Sequence, residues 1–388
     1  MEPLSPDVVI YVRALFNGGI DRVMLNLIEE FLRWRLNVTL LVDFDNIYSP
    51  FRASLPAGLT YVSLEARGPF ARFFRLRRYL LRANPRSMVS AGYFPNVFAI
   101  LAKIMSGVRT RLVVTEHNSP SINRQSSRLW EARRWFLTLA RAFFPYADGI
   151  VAVSKGVAAD LAQQLGLPAK RVECIYNPVV NAALYESAKE EVAHPWFNDQ
   201  SVPVIMALGR LEPQKNFALL IRAFAELHRQ TDCRLVIFGD GSERDMLQEL
   251  ILSLNLSEVV ELHGFVKNPH PFTARASMLV LSSVWEGLSI VLIEALALGT
   301  PVVSTDCHFG PSEVLDGGKY GTLVPVGDQV GLTAAMLAVL QSKHHPQADE
   351  WIKQFSSEDS ASRYLKLLLG PVRDTDQVTL AGPGARAA

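Results

Sequence analysis

Three cysteines in 388 residues, Cys174, Cys233 and Cys307, are too few, too scattered and odd in number for a disulfide framework or a zinc site. They read as buried or half-buried thiols. No uninterrupted apolar run reaches the roughly 18 residues of a membrane span. The opening "MEPLSPDVVIYV" also lacks the basic start and small-residue cleavage site of a secretory signal. The expectation is a soluble, cytoplasmic protein. There is no G-x-G-x-x-G fingerprint for a nicotinamide-type dinucleotide, no repeat of solenoid period, and no helix-turn-helix, RNA-binding or single-strand-binding signature. Nucleic acid is therefore not an expected partner.

What is present is a globular composition, 49% hydrophobic and 20% charged, in a chain long enough for two domains. The net charge of +1 hides an asymmetry: residues 1–176 carry 23 Lys and Arg against 13 Asp and Glu, and the remainder 16 against 25. The first half is thus suited to face something anionic.

Apolar strand patterns alternate with amphipathic helices twice. In the first half "VVIYVRAL", "VTLLVDF", "LTYVSL", "RLVVTEH" and "GIVAVS" read as strands, with helices in "GGIDRVMLNLIEEFLRW" and "KGVAADLAQQLG". After a polar stretch at 181–201 the alternation restarts with "VPVIMALGR", "RLVIFGDG", "VVELHGF", "MLVLSS" and "PVVST". The fold class is α/β, two doubly wound domains of parallel sheet covered on both faces. The expected boundaries are 1–180, a linker at 181–201, 202–348, a terminal helical segment at 349–370, and a small, polar, disordered tail at 371–388.

The run "SSVWEGLSIVLIEALALGTPVV" keeps Glu286 and Glu294 in an apolar setting, where each costs several kcal/mol unless it meets a partner. Glu286 falls on a strand-to-helix loop and Glu294 about two turns into the helix. Such loops lie at the carboxyl edge of a parallel sheet, where ligands bind. Two carboxylates there can grip a polyol.

Other segments share that edge. Gly18 and Gly19 sit between the first strand and first helix, either as a close approach for a phosphate or sugar, or as plain turn chemistry. "LGRLEPQKNF" sets Arg210 and Lys215 on one loop, a pair suited to a diphosphate, or else two solvated cations. "FGDGSE" supplies Gly239 in a similar loop, and "VVTEHNSP" ends a strand with Glu116, His117 and Asn118. A lone His there is as readily structural as functional. Asp43 and Asp45 have D-x-D spacing, but no His or Glu cluster supports a metal, and they read as a loop. His344 and His345 read as chemically idle.

Two basic-aromatic stretches remain. "FARFFRLRRYLLRA" interleaves Arg72, Arg75, Arg78 and Arg82 with apolar residues at near-helical spacing, and "RLWEARRWFLTLARAFF" adds Trp130 and Trp135. Each is either an ordinary helix packed on the sheet or an interfacial helix on an anionic membrane.

Taken in order, the Gly-Gly loop, "EH", "LGRLEPQKN", "FGDG", "LHGF" and "EGLSIVLIEALALGTPVVSTD" resemble the retaining glycosyltransferases of family 4, with GT-B fold and an E-x7-E signature at Glu286 and Glu294. The resemblance runs almost continuously over 204–330 and is looser before it. It implies transfer of a hexose or N-acetylhexosamine from a nucleotide diphosphate sugar, with uridine as the common base. The acceptor would be a glycan or lipid-linked molecule of a surface polysaccharide or glycolipid pathway. Metal and other cofactors are not expected.

By the same resemblance Arg210 and Lys215 bind the diphosphate, Glu294 the ribose diol, and Glu286 the donor sugar or its oxocarbenium-like transition state. Backbone amides at Gly19 and from Gly287 through Leu288 and Ser289 to Ile290 meet sugar and phosphate oxygens. Phe265 borders the base, His117 contacts the donor sugar near the reacting carbon, and the segment 349–370 crosses back onto the first domain. The location implied is the cytoplasmic face of the inner membrane. Two other readings share the architecture: a nucleotide-sugar epimerase, which consumes donor without acceptor, and a catalytically silent partner of another transferase.

Overall fold

The structure, a computed structural model, describes residues 5–370 apart from 17, 118, 122–129, 200 and 343–345. Asn118, His344, His345 and the tail at 371–388 therefore lie outside the described residues, as do the side chains of Trp130 and Trp135.

The first sheet comprises β1 (Val8–Val12), β2 (Val38–Val42), β3 (Thr60–Ser63), β4 (Ser87–Ala91), β5 (Arg111–Glu116), β6 (Gly149–Ala152) and β7 (Val172–Cys174), in the order β3-β2-β1-β4-β5-β6-β7. The second comprises β8 (Val204–Leu208), β9 (Arg234–Phe238), β10 (Val260–Gly264), β11 (Met278–Leu281), β12 (Val302–Thr305) and β13 (Thr322–Val324), ordered β10-β9-β8-β11-β12-β13. Neighbouring strands pair in parallel in both. The two sheets thus share one winding, reversing beside β1 and beside β8, and each reversal opens a crevice at the strands' carboxyl ends. Central strands such as β1, "VVIYV", are buried at every position, as a sheet covered on both faces requires.

The principal helices are α1 (Gly19–Arg33), α2 (Pro69–Ala83), α3 (Tyr93–Ser106), α4 (Trp130–Phe143), α5 (Lys155–Leu165), α6 (Ala182–Ser187), α7 (Phe217–His228), α8 (Arg244–Ser253), α9 (His270–Arg275), α10 (Ile290–Ala297), α11 (Gln329–Gln341) and α12 (Ser357–Leu369). At the start of α1, Asp21 accepts hydrogen bonds from the amides of Phe16, at 2.8 Å, and Gly18, at 3.2 Å, which folds the glycine loop over the helix end. Glu294 stands about one turn into α10, closer to its start than the sequence pattern suggested.

Strands β4, β7 and β13 are absent from the sequence reading. In β4, "SMVSA", two buried serines break the apolar run, and Ser87 is accommodated by donating to the Asp7 carbonyl at 2.8 Å. The other two have three residues each, too few to show a period.

The stretch at 181–201 is not a free connector. It contains α6, and Val192 and Phe197 enter a core with Val204, Met206, Phe238 and Ala276 of the second unit. The chain passes between the units twice side by side, with the Val179 and Val180 amides bonded to the Phe355 carbonyl at 3.0 Å. Helix α12 then packs on the first sheet. Ala361, Tyr364 and Leu368 join a core with Val8, Ile10 and Phe31, and the Tyr364 hydroxyl lies 3.1 Å from Thr115 Oγ1.

Helix α2 buries only Leu76 and Leu80. Arg72 does not face outward as expected: its Nε lies 2.5 Å from Oδ2 of fully buried Asp43, which also accepts from the Tyr11 hydroxyl. Arg75 is turned back onto the carbonyls of Leu64 and Glu65. The buried Asp43 carboxylate, which would otherwise leave a charge unpaired, draws Arg72 inward, whereas Arg75 stays exposed. Phe70, Phe74, Leu81, Arg78 and Arg82 are exposed. Arg77 ties α2 to the Met105 carbonyl at the end of α3, where Ile104 and Met105 are exposed as well. No helix among the described residues is long and apolar enough to cross a membrane.

Candidate active site

Between the carboxyl edges of the two sheets lies a cleft of about 920 Å³. The first domain contributes the carboxyl ends of β1, β4 and β5 and the residues that follow them, including Gly18, Gly19, Glu116 and His117. The second contributes Arg210 and Lys215 after β8 and the run Glu286 to Val291 between β11 and α10. The sequence-predicted residues Gly287, Leu288, Ser289 and Ile290 are thus in the cleft wall.

The two second-domain loops are stitched together. Gln214 Nε2 donates to the Trp285 carbonyl at 2.8 Å, the Val284 amide to the Gln214 carbonyl at 2.8 Å, and Ser282 Oγ to the Lys215 carbonyl at 2.7 Å. This brings Lys215 Nζ within 2.6 Å of Glu286 Oε1, an oxygen that Ser283 Oγ also contacts at 2.6 Å. Gly209 leaves room for the lysine, since a Cβ there would sit 2.9 Å from Lys215 Cε. Arg210 is exposed and has no side-chain partner among the described residues, which leaves its charge available to a ligand.

Three buried polar atoms on the cleft-lining residues have no hydrogen-bond partner among the described residues: Glu116 Oε2, His117 Nε2 and Ser289 Oγ. Buried polar groups are ordinarily paired. Burial pushes the Glu116 carboxyl up to about 8, against the smaller effect of a 2.8 Å hydrogen bond from Asn96 Nδ2. Burial lowers the adjacent His117 to about 4. At neutral pH this pair is an uncharged acid beside an uncharged imidazole, able to donate to and accept from hydroxyl groups. Asp21, raised to about 6 by burial in spite of its two amide bonds, lines the same cleft.

Glu294 lies deeper. Its Oε1 is 3.0 Å from Arg22 Nη1 of α1 and 3.2 Å from His270 Nε2 of α9. Burial alone would raise its carboxyl, but the His270 hydrogen bond and the Arg22 charge hold it below the ordinary range. Arg22, His270, Glu116 and Asn96 were not singled out as site residues, because each acquires its partner only through the fold.

Gly239 and Phe265 are not part of the cleft wall. Gly239 has φ of 133°, and a Cβ there would fall 1.8 Å from the Gly209 carbonyl, so glycine is required for two strand ends to meet. Phe265 stands exposed on the loop after β10.

Away from the cleft, Glu261 joins two histidines: His194 Nε2 at 3.1 Å and His263 Nδ1 at 2.7 Å. No cluster of this kind was foreseen. His194 Nδ1 accepts the Trp196 amide at 3.1 Å, which places the ring proton on Nε2, toward the carboxylate. The trio ties residue 194 to β10 by hydrogen bonds.

The chain matches the family "Glycosyltransferase Family 4" over residues 17–181 and "Glycosyl transferases group 1" over 188–356. A relative from Campylobacter jejuni, N-acetylgalactosamine-N,N'-diacetylbacillosaminyl-diphospho-undecaprenol 4-alpha-N-acetylgalactosaminyltransferase, is 32% identical over 374 residues, 93% of this chain and 99% of the relative. Among solved structures, HepE of Anabaena, in complex with UDP and glucose, superposes with a TM-score of 0.78 at 18% identity, covering 94% of this chain and all of that one. WaaG, a glycosyltransferase involved in lipopolysaccharide biosynthesis, gives 0.71 at 14% identity, covering 94% and 100%.

Proposed function

The chain belongs to glycosyltransferase family 4 and has the GT-B fold, and from that premise we propose that it moves a hexose or N-acetylhexosamine from a nucleotide diphosphate sugar to a glycan or lipid-linked acceptor, with retention and without a metal. Uridine diphosphate sugars are the favoured donors and surface polysaccharide or glycolipid synthesis the setting. The Campylobacter relative, with diphospho-undecaprenol in its name, and the UDP complex of HepE support this choice.

One observation carries the reading: residues from both domains that bear buried polar atoms without a partner among the described residues line a cleft that also holds Arg210 and Lys215. A sugar diphosphate supplies hydroxyls for the former and negative charge for the latter.

In the reaction the bond from the anomeric carbon to the diphosphate oxygen breaks, and an acceptor hydroxyl oxygen bonds that carbon on the same face. The hydroxyl proton passes to the departing phosphate oxygen. Lys215 and Arg210 stabilise the charge growing on the diphosphate, assisted by amides at the start of α10. Glu286 orients Lys215 and meets the donor sugar or its positive transition state, while His117 accepts from a sugar hydroxyl. Glu294 receives the ribose diol. Domain closure excludes water.

The exposed Phe70, Phe74, Arg78, Leu81 and Arg82 on α2 are the surface for peripheral docking on an anionic membrane. Incubation with UDP-N-acetylhexosamines and a polyprenyl-diphosphate acceptor, in chelator, tests the function. Acceptor-dependent release of UDP supports it. Acceptor-independent conversion of the donor to its epimer contradicts it.

A further inference from the structure

The carboxylate assigned to the ribose is gripped from the opposite domain. Arg22, 272 residues away in sequence, reaches Glu294 Oε1 from α1, while His270 reaches the same oxygen from α9. Ser187 Oγ, 2.6 Å from His270 Nδ1, fixes the other side of that ring.

Arg22 is one of three contacts along a single face of α1. A Cβ on Gly19 would lie 3.3 Å from Ile290 Cδ1, and Asn26 Nδ2 donates to the Pro178 carbonyl at 2.6 Å. Residues 19, 22 and 26 are three and four apart, the spacing of one helix face. The arginine is therefore placed by the first turn of α1 against α10, while Asn26 ties the same helix face to the chain leaving the first sheet. Both hydrogen bonds to Glu294 fall on Oε1. Its Oε2 has no partner among the described residues and is not among the sealed, unpaired atoms.

We propose that Arg22 is a positioning residue acting through Glu294: with His270 it holds Oε1, so that Oε2 is presented to the ribose diol only when the first domain is docked. The inference rests on the reading of Glu294 as the ribose ligand. It makes the first domain, which carries no other assigned contact to the nucleoside, a determinant of nucleotide affinity. By linkage, a bound nucleoside diphosphate favours docking to the same extent.

The test is calorimetric titration of uridine, guanosine and adenosine diphosphates, and their 2',3'-dideoxy analogues, into wild type, Glu294→Ala, Arg22→Met and Arg22→Lys. The nucleotide that binds wild type should be weakened about tenfold by Glu294→Ala and about five- to tenfold by Arg22→Met, as loss of a charge-assisted contact implies. Arg22→Lys should restore part of the loss. The dideoxy analogue should bind all four proteins alike, a pattern that a general defect in folding does not produce. Undiminished or tighter binding by Arg22→Met, or an equal loss for the dideoxy analogue, overturns the role of Arg22 while leaving Glu294 in place. Unchanged binding by Glu294→Ala, or no nucleotide bound by wild type, removes the ribose reading and the inference with it.

Discussion

Lys215 Nζ stands 2.6 Å from Glu286 Oε1, and Ser283 Oγ shares that oxygen. The lysine is thereby aimed into the cleft before any donor arrives, and a growing diphosphate charge can draw it across without a large rearrangement. Lys215→Met should lower kcat by about 10²- to 10³-fold, the scale of a lost electrostatic contact in a water-poor site, with a smaller effect on donor KM. Steady-state kinetics check this. A rise in KM alone would reduce the lysine to ground-state binding.

The arginines of α2 should separate into two behaviours. Arg72 is paired with fully buried Asp43, so Arg72→Ser should destabilise the fold by about 3–5 kcal/mol by leaving an uncompensated buried charge. Phe70→Ser with Phe74→Ser removes only exposed side chains. That double variant should keep its urea midpoint and its nucleotide affinity but lose binding to vesicles containing anionic lipid. Unchanged vesicle binding would remove α2 from the membrane account.

Glu116 and His117 predict an unusual pH dependence of stability. With Glu116 raised from 4.5 to about 8, the folded chain keeps a proton that the unfolded chain loses. Its contribution therefore falls as pH rises between those values, by about 1.4 kcal/mol per unit. His117, lowered from 6.5 to about 4, acts in the opposite sense, since below 6.5 the unfolded chain takes the proton. The two offset each other up to about pH 6.5, above which Glu116 acts alone. The stability of Glu116→Gln relative to wild type should therefore rise by about 2 kcal/mol between pH 6.5 and 8, read from urea unfolding. Parallel curves for the two proteins would contradict the assignment.

Helix α12 should behave as part of the first domain. Tyr364 is buried there, with its hydroxyl against Thr115. Tyr364→Ala should cost about 3–5 kcal/mol, as loss of a large buried ring does, and Tyr364→Phe about 1 kcal/mol for the hydrogen bond. Equal unfolding midpoints for all three proteins would contradict the docking.

The legible parts of the sequence were those whose meaning is local. A glycine loop, paired cations and two carboxylates, one on a strand-to-helix loop and one in the helix after it, announce a ligand edge, because each belongs to a short strand-to-helix unit. Arg22 gave no such signal. Its value comes from Glu294, 272 residues later, and nothing in "GGIDRVML" distinguishes it from a solvated helix arginine. The same holds for Arg72, whose inward turn depends on Asp43. Strand β4 was hidden because its serines are made tolerable by hydrogen bonds such as that from Ser87 to Asp7, which exists only in the sheet.

The central claim is retaining transfer from a nucleotide sugar bound in this cleft. The most direct measurement is proton NMR of the product formed from a UDP-α-N-acetylhexosamine and a polyprenyl-diphosphate-linked acceptor in the presence of chelator, followed from the first turnovers. The account predicts a new α-linked residue, its anomeric coupling matching that of the donor, and no product with Lys215→Met over the same interval. A β-linked product, or transfer that proceeds equally well without Lys215, would contradict it.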